Sequence, residues 1–243
     1  TNSTCSDYNS QVTSMTDFPL SFAMHRAFAK SGNIAEIYNV LTKDFLYDTP
    51  DRNMIFADNH DMDRFFYSIG EDVNSLKSAM TFLLTTRGVP QFYYGSEIGM
   101  KGHGNHGDIR EDFPGGWPGD SRDAFTHDGR STVENAIFDH VQKLLQWRKK
   151  SDAIQHGDLK HFVPEDNVYV FNRKSANESV VVIINNGDQP KKLSMKRFAE
   201  ILNGYDGAQD VLHGKRIENL KEIDIDANSS LVLELTPQLK ASK

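Results

Sequence analysis

The chain is predicted to join a parallel α/β half to an all-β half, with the change near residue 152. Three observations predict this. Short apolar runs stop abruptly at polar clusters, as where Met54-Ile55-Phe56-Ala57 meets Asp58-Asn59-His60-Asp61. Stretches of helical spacing separate such runs, and strand–helix–strand alternation indicates a parallel sheet with right-handed crossovers. After residue 152 the apolar runs become short, strand-like and punctuated by turn signals, the pattern of an antiparallel β-sandwich. The expected units are therefore 1–152 and 153–243.

Residues 1–10 are polar and read as loop, and Val12 to Thr16 as a short strand. Asp17-Phe18-Pro19 is a helix start, with a capping carboxylate and a proline in the first turn. Leu20, Ala23, Met24, Ala27 and Phe28 then follow at helical spacing up to Lys30, and Ser31-Gly32-Asn33 ends the helix. Ile34, Ile37, Tyr38, Leu41 and Phe45 mark a second helix. The strand ending at Asp58 comes next. Val73 to Thr86 carries Leu76, Met80, Leu83 and Leu84 on one stripe, an amphipathic helix closed by Arg87-Gly88.

Val89 to Gly95 reads as another short strand, with Pro90 near its start and Glu97 just past its end. Residues 99–132 form a long loop rich in Gly, His and Asp, and loops of such length in compact domains are usually functional or disordered. Ala136 to Lys150 is the last helix of this half, its basic end suiting the helix dipole. Beyond it, 161–163, 168–171, 180–184, 223–225 and 230–235 read as strands, with Asn185-Asn186-Gly187-Asp188 and Asn203-Gly204 as turns. The tail from Gln238 to Lys243 is expected to fray.

Composition narrows the function classes. A net charge of -7 argues against nucleic-acid binding, which needs a basic face. No apolar run approaches the ~20 residues of a membrane span. The single cysteine, Cys5, forms no intrachain disulfide and leaves the redox compartment open. The N-terminus has neither the basic region nor the apolar core of a signal peptide, and it lacks an initiating Met, so the chain is expected to be a piece of a longer one.

Asp58, Asn59, His60 and Asp61 sit where a buried strand ends, the place where parallel α/β folds keep their chemistry. A capped turn accounts for the same residue types. The wider context favours chemistry. Phe56-Ala57-Asp58-Asn59-His60-Asp61, followed by Thr85-Thr86-Arg87-Gly88-Val89-Pro90-Gln91-Phe92-Tyr93-Tyr94-Gly95-Ser96-Glu97, resembles the seventh- and eighth-strand motifs of the α-amylase family of glycoside hydrolases. Arg110-Glu111-Asp112-Phe113-Pro114-Gly115-Gly116-Trp117 and the closing β half resemble its neopullulanase and cyclomaltodextrinase branch, as in Bacteroidetes.

The resemblance implies the last three strand–helix units of a (β/α)8 TIM barrel followed by an antiparallel β-sandwich domain. It implies an α-glucan oligosaccharide as ligand, and α-1,4-glucosidic cleavage with retention. Such cleavage needs a carboxylate nucleophile and a carboxylic acid about 5 Å apart. Asp61 takes the place of a third carboxylate that steadies the distorted ring, and His60 would hydrogen-bond the same ring. Arg110 corresponds to an arginine that binds the neighbouring sugar. The aspartate usual four residues before it is His106 here, and Asp108 is the substitute. Tyr94 either lines the sugar site or packs in the core. Arg64 is read as structural, pairing with a barrel carboxylate, and Phe113 and Trp117 as loop anchors or outer sugar contacts.

His103, His106 and Asp108 lie on a Gly-rich loop without preset metal geometry, so no metal or other cofactor is expected in this chain. The calcium sites of the branch belong to the missing N-terminal part. The resemblance also implies a periplasmic or secreted setting. The strands carrying the nucleophile and the general acid are absent, so the chain alone is expected to be inactive. Open barrel edges expose unpaired backbone, so it should fold beside the missing barrel segment, self-associate or rearrange. Two other readings compete. One is a carbohydrate-binding or interaction module working through the β half, which the absence of Trp from 153–236 disfavours. The other is a complete enzyme using Asp58, Asp61 and Glu97.

Overall fold

The structure, a computed structural model, describes Cys5, Asp7 and residues 12–238. Cys5 and Asp7 are helical, against the loop expected there; of the tail expected to fray over 238–243, Gln238 donates its N–H to the Gly204 carbonyl at 2.9 Å, and the rest lies outside the described residues. Helix α1 (Phe18–Phe28) starts as its sequence requires: the Asp17 carboxylate accepts the Leu20 N–H at 3.0 Å, and Pro19 sits in the first turn, where no acceptor is needed. α2 (Ala35–Leu41) is shorter than its apolar spacing indicates. A 3₁₀ turn over Asp44–Leu46 succeeds it and turns Phe45 into water.

The parallel half continues with β1 (Met54–Phe56), a short α3 (Phe65–Ser68), α4 (Val73–Thr85) and β2 (Val89–Gln91). β1 and β2 pair in parallel, with Ile55 opposite Pro90. The strand expected over Val12–Thr16 contracts to one bridge between Thr16 and Met54, so a third parallel segment touches β1 only there. β2 stops at Gln91 although the apolar run continues through Tyr94. Gly95 and Gly99 adopt positive φ around a 3₁₀ turn (Ser96–Ile98), and a Cβ on Gly95 would stand 2.2 Å from the Met100 sulfur.

The long loop carries one helical turn, α5 (His106–Ile109). α6 (Thr132–Arg148) begins ahead of the expected Ala136, because Ser131 and Glu134 cap each other's backbone in a capping box. A short α7 (Asp152–His156) leads into the β half.

That half consists of β3 (Asp158–His161), β4 (Val168–Lys174), β5 (Ser179–Asn185), β6 (Lys191–Ser194), α8 (Ala199–Leu202), β7 (Tyr205–Asp210), β8 (Arg216–Ile217), β9 (Glu222–Ile225) and β10 (Ser229–Pro237). Among the described residues, an antiparallel sheet of order β3-β4-β5-β10-β7-β8 faces a β6-β9 ribbon. β6, β7 and β8 are not apparent in the sequence pattern, and Phe162-Val163 lies beyond the end of β3.

Alternation along the central strands divides the core in two. Tyr169, Phe171, Val180, Val182, Ile184 and Val232 point at the helices and join Leu20, Met24, Phe82, Leu83 and Leu144 in one cluster. Val170, Val181, Ile183 and Leu233 point the other way, onto Met195, Phe198, Ile201, Ile223 and Ile225. At the start of β1 and β2, the fully buried Arg87 donates to Asp17 at 2.6 Å and to both Asp44 oxygens at 2.6 and 2.8 Å. Burial opposes that charge, but the hydrogen bonds with Asp44 and the charges of both carboxylates outweigh it and hold the guanidinium protonated. Among the described residues no helix is long and apolar enough to cross a membrane.

Candidate functional site

The opposite, carboxyl end of β1 opens into the polar cluster. Asp58 is buried, and both of its oxygens are engaged. One accepts the Phe65 N–H at 2.8 Å, the other the Ser96 hydroxyl at 2.8 Å. Burial pushes its carboxyl above the usual range in spite of those bonds. Asp58 thus ties the end of β1 to the start of α3 and to the turn after β2. His25, on the last turn of α1, donates from Nε2 to the Ala57 carbonyl at 2.8 Å and packs edge-on against Phe65. Burial holds its pKa down, so the ring sits neutral behind the strand end.

Asp61 has a different setting. Its N–H donates to Asn59 Oδ1 at 2.9 Å, forming a tight local turn that lifts the side chain outward. Arg110 then grips this turn with two donors. Nε reaches the His60 carbonyl at 2.9 Å, and Nη2 reaches Asp61 Oδ1 at 2.9 Å. The other Asp61 oxygen lies 3.3 Å from His60 Nε2. The Asp61 and His60 side chains are 64% and 63% exposed, so this contact adds little stability, typically ~0–1 kcal/mol for a surface pair. Its effect is orientation: a carboxylate with room for further donors is held beside an imidazole on an open face.

The loop that presents Arg110 is laced to the strand ends. Arg64 N–H donates to the Gly102 carbonyl at 2.9 Å, and Gly104 N–H to Asp63 at 2.9 Å. The Tyr93 hydroxyl reaches the Ile109 carbonyl at 3.3 Å, and the Tyr94 hydroxyl donates to the Glu111 carbonyl at 2.8 Å. His103 stacks on Tyr67 with centroids 4.1 Å apart. Asp108 accepts the Asn105 amide at 2.6 Å while Asn105 caps the Asp108 N–H, closing the turn just before Arg110. The structure therefore brings Asp61, His60 and Arg110 into direct contact. Tyr94 and Asp108 meet the backbone and side chains of the loop itself.

Arg64 is fully buried with its guanidinium over Tyr93, 4.0 Å from the ring centroid, and over Tyr94 at 4.7 Å. Nη1 donates to the Tyr94 carbonyl, and Nε and Nη2 have no partner among the described residues. The carboxylate pairing expected for Arg64 is replaced by stacking between tyrosines. Sequence reasoning also passed over Ser96 and the anchoring role of the two tyrosine hydroxyls. Adjacent tyrosines followed by Gly-Ser were the available signal.

Glu97 is half-buried on its 3₁₀ turn, and burial raises its carboxyl although backbone N–H groups of Glu97 and Gly95 favour the charge. Phe113 packs on Phe125 with centroids 4.6 Å apart, while Trp117 stands in water. Among the described residues no three His, Cys, Asp or Glu side chains gather as a metal-holding group. One large concavity, lined by Lys77, His140, Asp210 and His213, lies between α4, α6 and the β half and takes in none of the Asp61 cluster. An outward carboxylate with an imidazole and a guanidinium can hold a hydroxyl-rich ligand and place negative charge beside it.

Comparison with known proteins adds to this geometry. Residues 1–178 match the model of the alpha amylase catalytic domain, and residues 159–234 match that of the cyclo-malto-dextrinase C-terminal domain. A cyclomaltodextrin glucanotransferase of Bacillus sp. (strain 38-2) is 34% identical over 179 residues, covering 73% of this chain and 23% of its own length. A cyclomaltodextrinase of Geobacillus thermopakistaniensis is 29% identical over 191 residues, covering 76% of this chain and 30% of its own. The chain thus spans less than a third of either protein. In fold, an alpha-amylase from Geobacillus thermoleovorans, solved with acarbose, superposes with a TM-score of 0.80 at 23% identity, over 98% of this chain and 52% of that one.

Proposed function

We propose, from the premise that this chain belongs to the alpha-amylase family, that it supplies one wall of a retaining site cleaving α-1,4-linked glucans, with Asp61 as its transition-state carboxylate. The observation that carries the reading is the grip of Arg110 on the Asp61 turn, which holds an exposed carboxylate in one orientation without sealing it from a ligand. As the glucosidic bond breaks, the ring flattens and gains oxocarbenium character. A fixed negative charge beside it then binds the transition state more tightly than the ground state. Asp61 also accepts ring hydroxyls, His60 adds a hydrogen bond to the same ring, and Arg110 reaches the neighbouring sugar. Asp108 and Tyr94 border that sugar and keep the Arg110 loop in place.

Retaining cleavage further requires a nucleophile and an acid about 5 Å apart across the bond. Neither Asp58 nor Glu97 is suited to that pair. Asp58 is buried with both oxygens engaged, and Glu97 answers to backbone N–H groups of its own turn. We therefore read the chain by itself as a glucan-holding part that is catalytically silent.

Titration calorimetry with maltoheptaose tests the first claim. Asp61→Asn and His60→Ala are expected to weaken binding about tenfold, the order of one charge-assisted hydrogen bond. Affinity unchanged in both variants would sink the reading. Incubation with starch, pullulan or cyclodextrin tests the second: no reducing sugar is expected, and turnover by the purified chain overturns silence.

A further inference from the structure

We propose that Trp117 is an outer stacking platform for the α-glucan chain, carried on the loop that begins at Arg110. The inference rests on the α-glucan reading above and extends it to a residue outside the Asp61 cluster. Trp117 is 70% exposed, and Phe125, the other large aromatic of this stretch turned to water, is 65% exposed. Single exposed apolar residues are common and need no explanation by themselves. This one is held out by a built loop.

The Trp117 N–H donates to the Asp120 carboxylate at 2.9 Å, and the Asp120 N–H returns to the Trp117 carbonyl at 3.2 Å. The Ala124 N–H closes on the Pro114 carbonyl at 2.8 Å. Gly115 runs so close to Asp123 that a Cβ there would stand 2.5 Å from its carboxylate. The base of the loop is clamped to α6. Arg122 forms a two-pronged pair with Glu134 at 2.7 and 2.9 Å. Arg130 donates to the carbonyls of Ala124 and Phe125 while lying 3.8 Å from the centroid of Phe138. A slack loop would fold its indole onto the protein. This loop fixes the backbone on both sides of Trp117 and presents the ring to solvent.

The surroundings select the occupant. A protein partner prefers a contiguous apolar patch of several hundred Å². Trp117 is instead followed by Pro118, Gly119, Asp120, Ser121, Arg122 and Asp123, all exposed and mostly polar. A flat aromatic face in a mostly polar surround, with Phe125 as the neighbouring exposed ring, suits a pyranose, which offers C–H bonds to the ring and hydroxyls to its edges. Trp117 is seven residues beyond Arg110, so the two Cα atoms are at most about 25 Å apart. That tether bounds how far the ring can stand from an oligosaccharide held at Asp61.

The chain has two tryptophans, and the second, Trp147, is half-buried with its Nε1 donating to Glu234. In the full chain carrying Trp147→Phe, fluorescence therefore reports Trp117 alone. Maltoheptaose is expected to shift its emission to the blue and shield it from acrylamide, and maltose is not. In parallel, on the otherwise unaltered chain, Trp117→Ala should weaken maltoheptaose binding about three- to tenfold with Trp117→Phe intermediate, the range of one aromatic contact.

Unchanged emission and quenching where calorimetry reports Asp61-dependent binding would overturn the platform and leave the α-glucan reading standing. Shielding that survives Asp61→Asn at full affinity would support the platform and count against the site at Asp61. Neither heat nor shielding would remove both. Shielding that rises with protein concentration in the absence of sugar would make a second copy of the chain the occupant and overturn the proposal.

Discussion

Two charged clusters mark the two ends of the β1–β2 pair, and they are built on opposite principles. At the start of the strands, the buried Arg87 donates to the buried Asp17 and to Asp44 at the rim, a network largely shut off from water. At the far end, Asp61, His60 and Arg110 use similar chemical groups in water, with the carboxylate left accessible. A buried charge network is complete or ruinous, because an unpaired buried ion is strongly destabilising. An exposed one tolerates vacancy. The first arrangement therefore holds the fold, and the second is free to hold something else. Asp58 and Asp61, three residues apart, repeat the contrast within a single turn.

The largest test of this contrast is Arg87→Ala. It leaves Asp17 and Asp44 without their cation and should cost about 3–5 kcal/mol. Urea unfolding followed by circular dichroism measures it, and a midpoint within error of the unaltered chain would contradict the dry-end assignment.

Acid titration probes a second, partly buried polar site. His140 lies between Thr81 Oγ1 at 2.9 Å and the Lys77 carbonyl at 3.0 Å, joining α6 to α4. Burial first, and the nearby positive charges of Lys77, His213 and Lys143 as well, lower its pKa from 6.5 to about 4. The unfolded chain binds the proton first, so stability from this group is intact above pH 6.5. It falls as pH drops toward 4 and changes no further below that. The loss amounts to about 3 kcal/mol, and His140→Gln should flatten that part of the stability–pH curve. An equal slope in the variant would reject the assignment.

Smaller again is Ser131→Ala, which removes one side of the α6 capping box and should cost about 1 kcal/mol by thermal unfolding. The smallest expected stability changes are at the wet end. Asp61→Asn should stay within about 0.5 kcal/mol and Arg110→Ala within about 1 kcal/mol, while both weaken glucan binding. A large loss of stability from either would erase the distinction between the two ends.

The sequence made some of this legible for physical reasons. β4 and β5 are apolar runs buried on both faces, β10 alternates buried and half-buried positions around Leu231 to Leu235, and α1 carries its cap in plain view at Asp17. The short strands were not legible. Lys191–Ser194 and Tyr205–Asp210 are too brief and too polar to stand out, and they exist because neighbouring strands offer edges to pair with. The run through Tyr94 suggested a longer β2, but positive φ at Gly95 and Gly99 redirects the chain, and both tyrosine hydroxyls turn to the loop. In the candidate site, the segment from Asp58 to Asp61 could be read locally. The grip of Arg110 on Asp61 spans 49 positions, and the bond from Ser96 to Asp58 spans 38. Neither leaves a periodic trace, since each depends on how a loop folds back.

The inward side of the β half, where Tyr169, Phe171, Val182 and Ile184 meet Leu83 and Leu144, carries an evolutionary corollary. A module fused through a common oily seam cannot be exchanged like a detachable cassette. Its inward side chains must change in step with those of the helices they face, and a foreign replacement would bring mismatched contours to the joint. Inheritance should therefore keep the two halves together, even where loops around Asp61 diverge freely.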